Sequence, residues 1–351
     1  MYEQVKRSYC ILLLFLLSIS CSINSNWSAF SANGLPDKDE VYNDMLFQND
    51  EVGYIGGRRF DWLEVVNNEK INFKEIAVLY KTENQGKNWK QIPLPYSGSV
   101  DKITVFGDTL ILEINTYNDT TMLVQSNNQG KDWINLLILT KYGRIRDTQF
   151  NNSKDGRLLT TDSTHGYLIQ YHNTKFDTIQ TFIGNDVFAI LQNQVISFRR
   201  DTATAAYSGY ILTDVKTGYR KEIPFDISYY ISFSYYSKHA DHLYFAANHN
   251  QIGTILKVTN AGYEVIDLGQ YAQCIPDKVF AFGNTIMAIC ASQDNIGPIG
   301  VIHTFLISSD GGKTWMKEDL PSPMCVTTPA IFKDQFFIAG SCPNNYFQIR
   351  K

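Results

Sequence analysis

The chain is predicted to be all-β: a seven-bladed β-propeller of four-stranded antiparallel blades. Three observations lead there. The motif Ser308-x-Asp310-x-Gly312-x-x-Trp315 returns as Thr82-x-Asn84-x-Gly86-x-x-Trp89 and as Ser126-x-Asn128-x-Gly130-x-x-Trp133. Trp89 and Trp133 lie 44 residues apart, and Trp315 lies about four such periods further on, a spacing that suits four-stranded blades. Tyr and Phe number 21 each among 351 residues, which is strand-forming composition, and no long amphipathic helical pattern appears after the N-terminus.

The N-terminus comes first. Lys6 and Arg7 precede an apolar run from Ile11 to Leu17, too short to span a bilayer as a mature helix. Ser18 and Ser20 lead to Cys21. Residues 1–21 read as an export signal with two processing routes, lipidation of Cys21 or ordinary cleavage. The first resembles a bacterial lipoprotein signal, although Leu17 stands four residues before Cys21 and Ser18 takes the position usually held by Leu. That resemblance implies an outer-membrane lipoprotein, touching the membrane only through its lipid; the second route implies a periplasmic or secreted protein. Residues 22–40 read as a tether followed by a strand, and 41–351 as the propeller.

Within the propeller each period has one grammar: strand, tight turn, strand, variable loop, strand, box, closing strand. Asp44–Phe47, Val52–Gly56 and Ile76–Tyr80 supply the first three strands of the first period, with a long loop from Arg58 to Glu75. Fainter copies of the box are expected at Asn173, at Asp214 with Gly218, and at Asn260-x-Gly262-x-x-Val265. In the sixth period Lys278–Phe282 turns at Gly283-Asn284 into Thr285–Ile289, a recognised hairpin signal. After Pro321 there is chain for three strands only. The stretch Trp27–Phe30 is expected to supply the fourth and close the ring, which removes a free edge.

The box has a physical reason. Asp or Asn accepts backbone N–H bonds across a turn, Gly takes a conformation that a Cβ opposes, and Trp buries a large ring. Thr82, Asn84, Gly86, Trp89, Ser126, Asn128, Gly130, Trp133, Ser308, Asp310, Gly312 and Trp315 are therefore assigned as structural. The motif resembles the Asp-box, or bacterial neuraminidase repeat, of β-propellers with sialidase-like architecture. That resemblance implies that the boxes lie on the face opposite the ligand. The Val52–Gly56 run followed by the first box is similar to propellers of the photosystem II assembly-factor type, which implies a binding or assembly platform.

Net charge of −4 gives no basic face for nucleic acid. No P-loop, Gly-x-Ser-x-Gly elbow or His-Glu-x-x-His occurs, and no cysteine or histidine spacing suits a metal; no cofactor is expected. Ten arginines are present. Arg58, Arg59, Asp61 and Trp62 in the long loop, with Arg144, Arg146, Arg199 and Arg200, fall on the inferred ligand face. Guanidinium forks would suit an anionic ligand, while pairing with Asp61, Asp147 and Asp201 is the plainer reading. The expected function is an exported, non-catalytic binding or scaffold module for a protein or glycan ligand on that face. The alternative is a divergent sialidase-like glycoside hydrolase acting on acidic glycans, which needs an arginine cluster beside a Tyr–Glu pair and an Asp. Export makes disulfides the default for Cys274, Cys290, Cys325 and Cys342, with three connectivities. Cys274–Cys290 and Cys325–Cys342 are expected, because each pair brackets a strand–turn–strand stretch that brings its ends together.

Overall fold

The computed structural model describes residues 27–29, 32–35 and 40–350, except 67–68, 117–119, 140–142, 184–186, 202, 239–240, 298–299, 319–325, 333–334 and 342–344. The signal, Cys21, Cys325 and Cys342 lie outside the described residues. Apart from one short 3-10 turn at Gly269–Tyr271, the regular structure described is entirely β-strand.

The strands form six antiparallel sheets. Sheet 1 runs Glu40–Phe47, Gly53–Val66, Glu69–Thr82 and Trp89–Ile92. Sheet 2 runs Ser99–Phe106, Thr109–Asn115, Thr121–Ser126 and Ile134–Leu139. Sheet 3 runs Arg144–Asn152, Asp155–Thr161, His165–His172 and Lys175–Ile183. Sheet 4 has seven strands, from Val187–Leu191 to Tyr263–Asp267. Its middle strand, Arg220–Lys238, pairs with Tyr207–Asp214 through its first part and with His242–His249 through its second. Sheet 5 contains Pro276–Phe282, Thr285–Gly297, Gly300–Ser308 and Met316–Glu318. Sheet 6 contains Val326–Phe332, Gln335–Ser341 and Asn345–Arg350, with Trp27–Ala29 as its outer strand; Trp27 lies opposite Arg350 and Ala29 opposite Gln348.

The core is divided among the gaps between successive sheets. One cluster joins Tyr54 and Leu79 of sheet 1 to Leu110 and Val124 of sheet 2. Another joins Ile111 of sheet 2 to Leu158 and Tyr171 of sheet 3. The last sheet meets the first where Ala339 packs with Tyr42, Met45 and Trp89. Burial on both faces explains the apolar runs of the inner strands, such as Leu110–Leu112.

The three boxes share one geometry. Ser308 Oγ accepts Gly312 N–H at 2.7 Å and donates to Asp310 Oδ1 at 2.7 Å; Asp310 Oδ1 accepts Thr314 N–H at 2.9 Å. Thr82 and Asn84 repeat this with Gly86 and Asn88, and Ser126 and Asn128 with Gly130 and Asp132. The fourth and fifth residues take positive φ: Gln85 and Gly86, Gln129 and Gly130, Gly311 and Gly312. The fifth must be Gly for a second reason. A Cβ on Gly130 would stand 2.4 Å from Ile92 Cγ2, and one on Gly312 would stand 2.3 Å from Ile266 Cγ2. Both isoleucines belong to the last strand of the preceding sheet, so the box also sets the spacing between sheets. Trp315 Nε1 ties the same pair of sheets by donating to the Asp267 carbonyl at 2.8 Å.

Two expectations need correction. The fainter copies mark turns between third and fourth strands; at Asp214 the carboxylate accepts the N–H groups of Lys216 and Thr217 and Gly218 takes positive φ, but the turns at Asn173 and Asn260 are of another kind. Asn173 and Thr174 both take positive φ in a two-residue hairpin. At Asn260 the turn closes between Thr259 and Gly262, with Thr259 Oγ1 accepting the N–H groups of Ala261 and Gly262. The Asn260 side chain turns away to Gln192, and Val265 is exposed. The supposed long loop Arg58–Glu75 is instead an extension of the hairpin, paired in register from Gly53↔Thr82 out to Val66↔Glu69.

Candidate functional site

Antiparallel connectivity separates two ends of the sheets. The turn after the first strand and the turn after the third lie at one end, where they bond to each other: Gln85 N–H to the Glu51 carbonyl, Gln129 to Asp108, Gly311 to Asn284. The second-to-third-strand hairpins and the links between sheets lie at the other end, which is therefore the end away from the boxes.

A channel of about 1480 Å³ runs between the sheets, and all six contribute to its wall. The first strands supply most of it for a local reason. Six of them carry a one-residue bulge near the start, at Asn43, Asp101, Arg146, Phe188, Asp277 and Thr327. A bulge places an extra residue against one partner and re-aims its neighbours. Asn43–Asp44, Asp101–Lys102 and Arg146–Asp147 reach the channel in this way.

One wall is polar. Asp44 accepts the N–H of Met45 at 3.0 Å and, across to the next sheet, that of Ile103 at 2.7 Å. Asp147 repeats the arrangement with Thr148 and, on sheet 4, Ile190, both at 2.8 Å. Asp147 also holds two ammonium groups, Lys238 at 2.6 Å on one oxygen and Lys102 at 3.4 Å on the other. Asp101 is held by amides, Asn43 at 2.8 Å and Asn115 at 2.5 Å. Glu113, on the second strand of sheet 2, is 8% exposed.

Charge state follows from these partners. Burial pushes Asp44 up to about 6, against the Ile103 N–H bond and nearby Lys102. Glu113 is pushed up to about 8, chiefly by burial, with Lys102 opposing and Asp101, Asp147 and Asp44 adding to the rise. For Asp147 burial is outweighed by Lys238 and Lys102, which hold it below the usual carboxylate range. The facing wall is aromatic, with Phe233, Tyr236, Phe280, Phe282 and Phe336.

The arginines singled out from the sequence do not form one cluster. Arg58 and Arg146 reach the channel. Arg58 pairs with Glu75 at 3.1 Å and sits 5.1 Å above the Phe60 ring, and Arg146 donates to Thr161 at 3.0 Å. Arg59 pairs with Asp61 at 3.1 Å. Arg199 donates to Ser208 and Arg200 to the Ala205 carbonyl. Arg144 opens the first strand of sheet 3. Trp62 lies opposite Phe73 in the hairpin ladder. A Tyr–Glu cluster does exist: Glu40 accepts Tyr42 at 2.9 Å and Tyr80 at 2.8 Å. All three are buried, and burial with the adjacent Glu40 drives the Tyr80 phenol upward. That is the reverse of an activated nucleophile.

Sequence reasoning missed Asp44, Asp101, Lys102, Glu113 and Lys238, and it expected Asp147 to pair with arginine where its partners are Lys102 and Lys238. A signal was present in three of the first strands, where a polar pair interrupts apolar residues: Asn43-Asp44, Asp101-Lys102 and Arg146-Asp147.

No family model matches the chain, and no curated protein matches it. Similar solved structures are β-propellers. One is "YCF48 bound to D1 peptide", with a TM-score of 0.62 and 14% identity over 93% of this chain and 95% of that one. Another is the β-propeller domain of the trilobed protease from Pyrococcus furiosus, with a TM-score of 0.58 and 7% identity over 89% and 95%. A prolyl endopeptidase structure gives a TM-score of 0.56 and 10% identity over 88% of this chain and 50% of that one. At such identities the likeness concerns the fold alone. The protein is a β-propeller.

Proposed function

We propose that this protein is an exported binding or scaffold propeller that receives a segment of a protein partner at the channel end away from the boxes. The observation that carries this is the channel itself. At about 1480 Å³ it exceeds the roughly 300–1,000 Å³ of small-ligand sites, and it offers an aromatic wall facing a polar one. A propeller of similar fold is known bound to a peptide. In this reading the seven-stranded sheet counts as two blades, giving seven, and Trp27–Ala29 closes the ring. The sequence of residues 1–21 supports export with Cys21 as lipid anchor, in an outer-membrane location. The Cys274–Cys290 disulfide, with 5.7 Å between its Cα atoms, fits an oxidising compartment.

Site-specific photocrosslinking in cells that express the full chain tests the reading. A crosslinker at Phe73, exposed in the long hairpin of sheet 1, should capture a discrete polypeptide. One at Met316, exposed in the last strand of sheet 5, should not. Equal capture from both positions, or none from Phe73, would overturn it.

A further inference from the structure

Cations also line the channel, among them Arg58, Arg146 and Lys278, but the ion pairs that the polar wall makes with its lysines are concentrated on one of its acids. Four acids meet there: Asp44, Asp101, Glu113 and Asp147. The two lysines that reach them, Lys102 and Lys238, both contact Asp147. Among the described residues no ammonium or guanidinium lies within 4.0 Å of Asp44, Asp101 or Glu113. Asp44 is answered by two backbone N–H groups and Asp101 by two side-chain amides. Glu113 differs. It is more than nine-tenths buried, it faces the channel, and no hydrogen bond to its carboxyl is found among the described residues. Its oxygens are not sealed off but open on the channel, and burial of the side chain still disfavours the ionised form unless a cation answers it.

Position adds to this. Glu113 lies opposite Lys102 and Leu123, toward the Asn115 end of its strand. The box of that sheet begins beside Leu110 at the other end. Glu113 is thus reached from the end away from the boxes. Across the channel stand Tyr236, Phe233 and Phe280, surfaces suited to an alkyl stem and to a cation over a ring.

We propose that the polar wall is a receptor for a primary amine or guanidinium, carried by a lysine or arginine side chain of the partner, with Glu113 as its direct counter-ion. This rests on the reading of the channel as the site of a protein partner. The incoming cation takes the place that no internal lysine fills. Glu113 gives up its proton to solvent as the ion pair forms.

Calorimetry on the full chain tests it, at about pH 9 so that Glu113 is ionised. The probes are n-butylamine, n-butylguanidine and the neutral n-butanol, with a short peptide carrying one lysine set against the same peptide carrying norleucine. Both cations and the lysine peptide should bind, and the neutral members of each pair should not. Glu113→Gln should weaken cation binding at least tenfold, while Asp50→Asn, an exposed acid at the channel margin, should leave it within twofold. Near pH 7, titrations in buffers of different ionisation enthalpy should show proton release that Glu113→Gln abolishes, a readout a merely structural change would not move. Equal binding by the Gln variant, equal binding of n-butanol, or no binding of any cation would overturn the proposal. Binding of butylamine but not of the lysine peptide would assign the site to a free amine and refute the peptide source. Capture of a polypeptide from Phe73 with no effect of Glu113→Gln would sink this inference and leave the protein-binding reading standing.

Discussion

Replacing Gly312 with alanine imposes two separable penalties. The first is backbone strain: φ at Gly312 is +92°, and left-handed conformations cost an ordinary residue about 1–2 kcal/mol. The second is contact: the new Cβ would lie 2.3 Å from Ile266 Cγ2, and overpacking of this kind costs about 1–3 kcal/mol. Alanine also restricts the unfolded chain, which returns about 0.4–1 kcal/mol. The net expectation is a loss of about 2–4 kcal/mol, obtained by combining these ranges. Gly311 provides the control. It too has positive φ, +76°, but nothing lies within 4 Å of its Cβ position, and the matching residues of the other boxes are Gln85 and Gln129. Gly311→Ala should therefore cost about 1 kcal/mol or less. Urea unfolding followed by tryptophan fluorescence measures both. An Ile266→Ala background removes the contact and should recover about 1–3 kcal/mol of the Gly312→Ala loss as coupling in a double-mutant cycle. If Gly312→Ala costs no more than Gly311→Ala, or if the cycle shows no coupling, the claim that the box spaces adjacent sheets is wrong.

Three further outcomes are expected. Cys274→Ser should lower unfolding free energy by about 3 kcal/mol, since the bond closes a loop with a sequence separation of 16; in a background in which Cys325 and Cys342 are both replaced by Ser, reductant should match that loss and add nothing once Cys274 is also replaced. Asp44 and Glu113, which face each other, Asp101, Asp147 and Lys102, ionise at higher pH in the folded chain than in the unfolded one. The folded state binds the extra protons, so their contribution is fully present below about pH 4 and is lost as pH rises through about 6 and then about 8. Glu113→Gln should flatten the upper part of that decline and stabilise the protein near pH 9 by on the order of a few kcal/mol; an unchanged slope in pH-dependent urea melts would contradict the assignment. A truncation that begins at Ala32 removes the strand Trp27–Ala29 but keeps Asn33, which bonds to Lys87 and Trp89. It should melt several degrees lower by calorimetry, about the effect of one to two kcal/mol in a domain of this size, and an unchanged melting temperature would count against ring closure by that strand.

Strand positions were legible because each is written in several residues at once. The apolar runs Val52–Gly56 and Ile76–Tyr80 are bounded by turn residues; the first lies in a strand of sheet 1 from Gly53 on, and the second lies wholly within one. Box geometry was legible wherever the hydroxyl stands two residues before the carboxamide or carboxylate and Gly two residues after it. It was misread at Asn260, where Thr259 alone closes the turn. Asn260 and Gly262 match, but Val258 stands where the hydroxyl should be, and the motif's strength lies in reciprocal bonds. The arginines were chosen by residue type, and type says nothing about local partners: Arg199 needs only Ser208 and Glu222, both near in the ladder. The acids of the channel were hidden for a different reason. Asp44 bonds to Ile103, Asp147 to Ile190 and to Lys238, distances along the chain at which spacing carries no signal.

The strand Arg220–Lys238 belongs to two neighbouring halves of sheet 4 at once. Elsewhere adjacent sheets meet through side chains and occasional bonds, and one can fray while its neighbour holds. Across this strand the amide ladder continues from Val187 to Asp267, so opening either half strips protection from the other. In native-state hydrogen exchange this span should release its slowest amides together, as one cooperative block. Such a block would make this region the stiffest part of the fold, and would leave deformation to the sheets on either side.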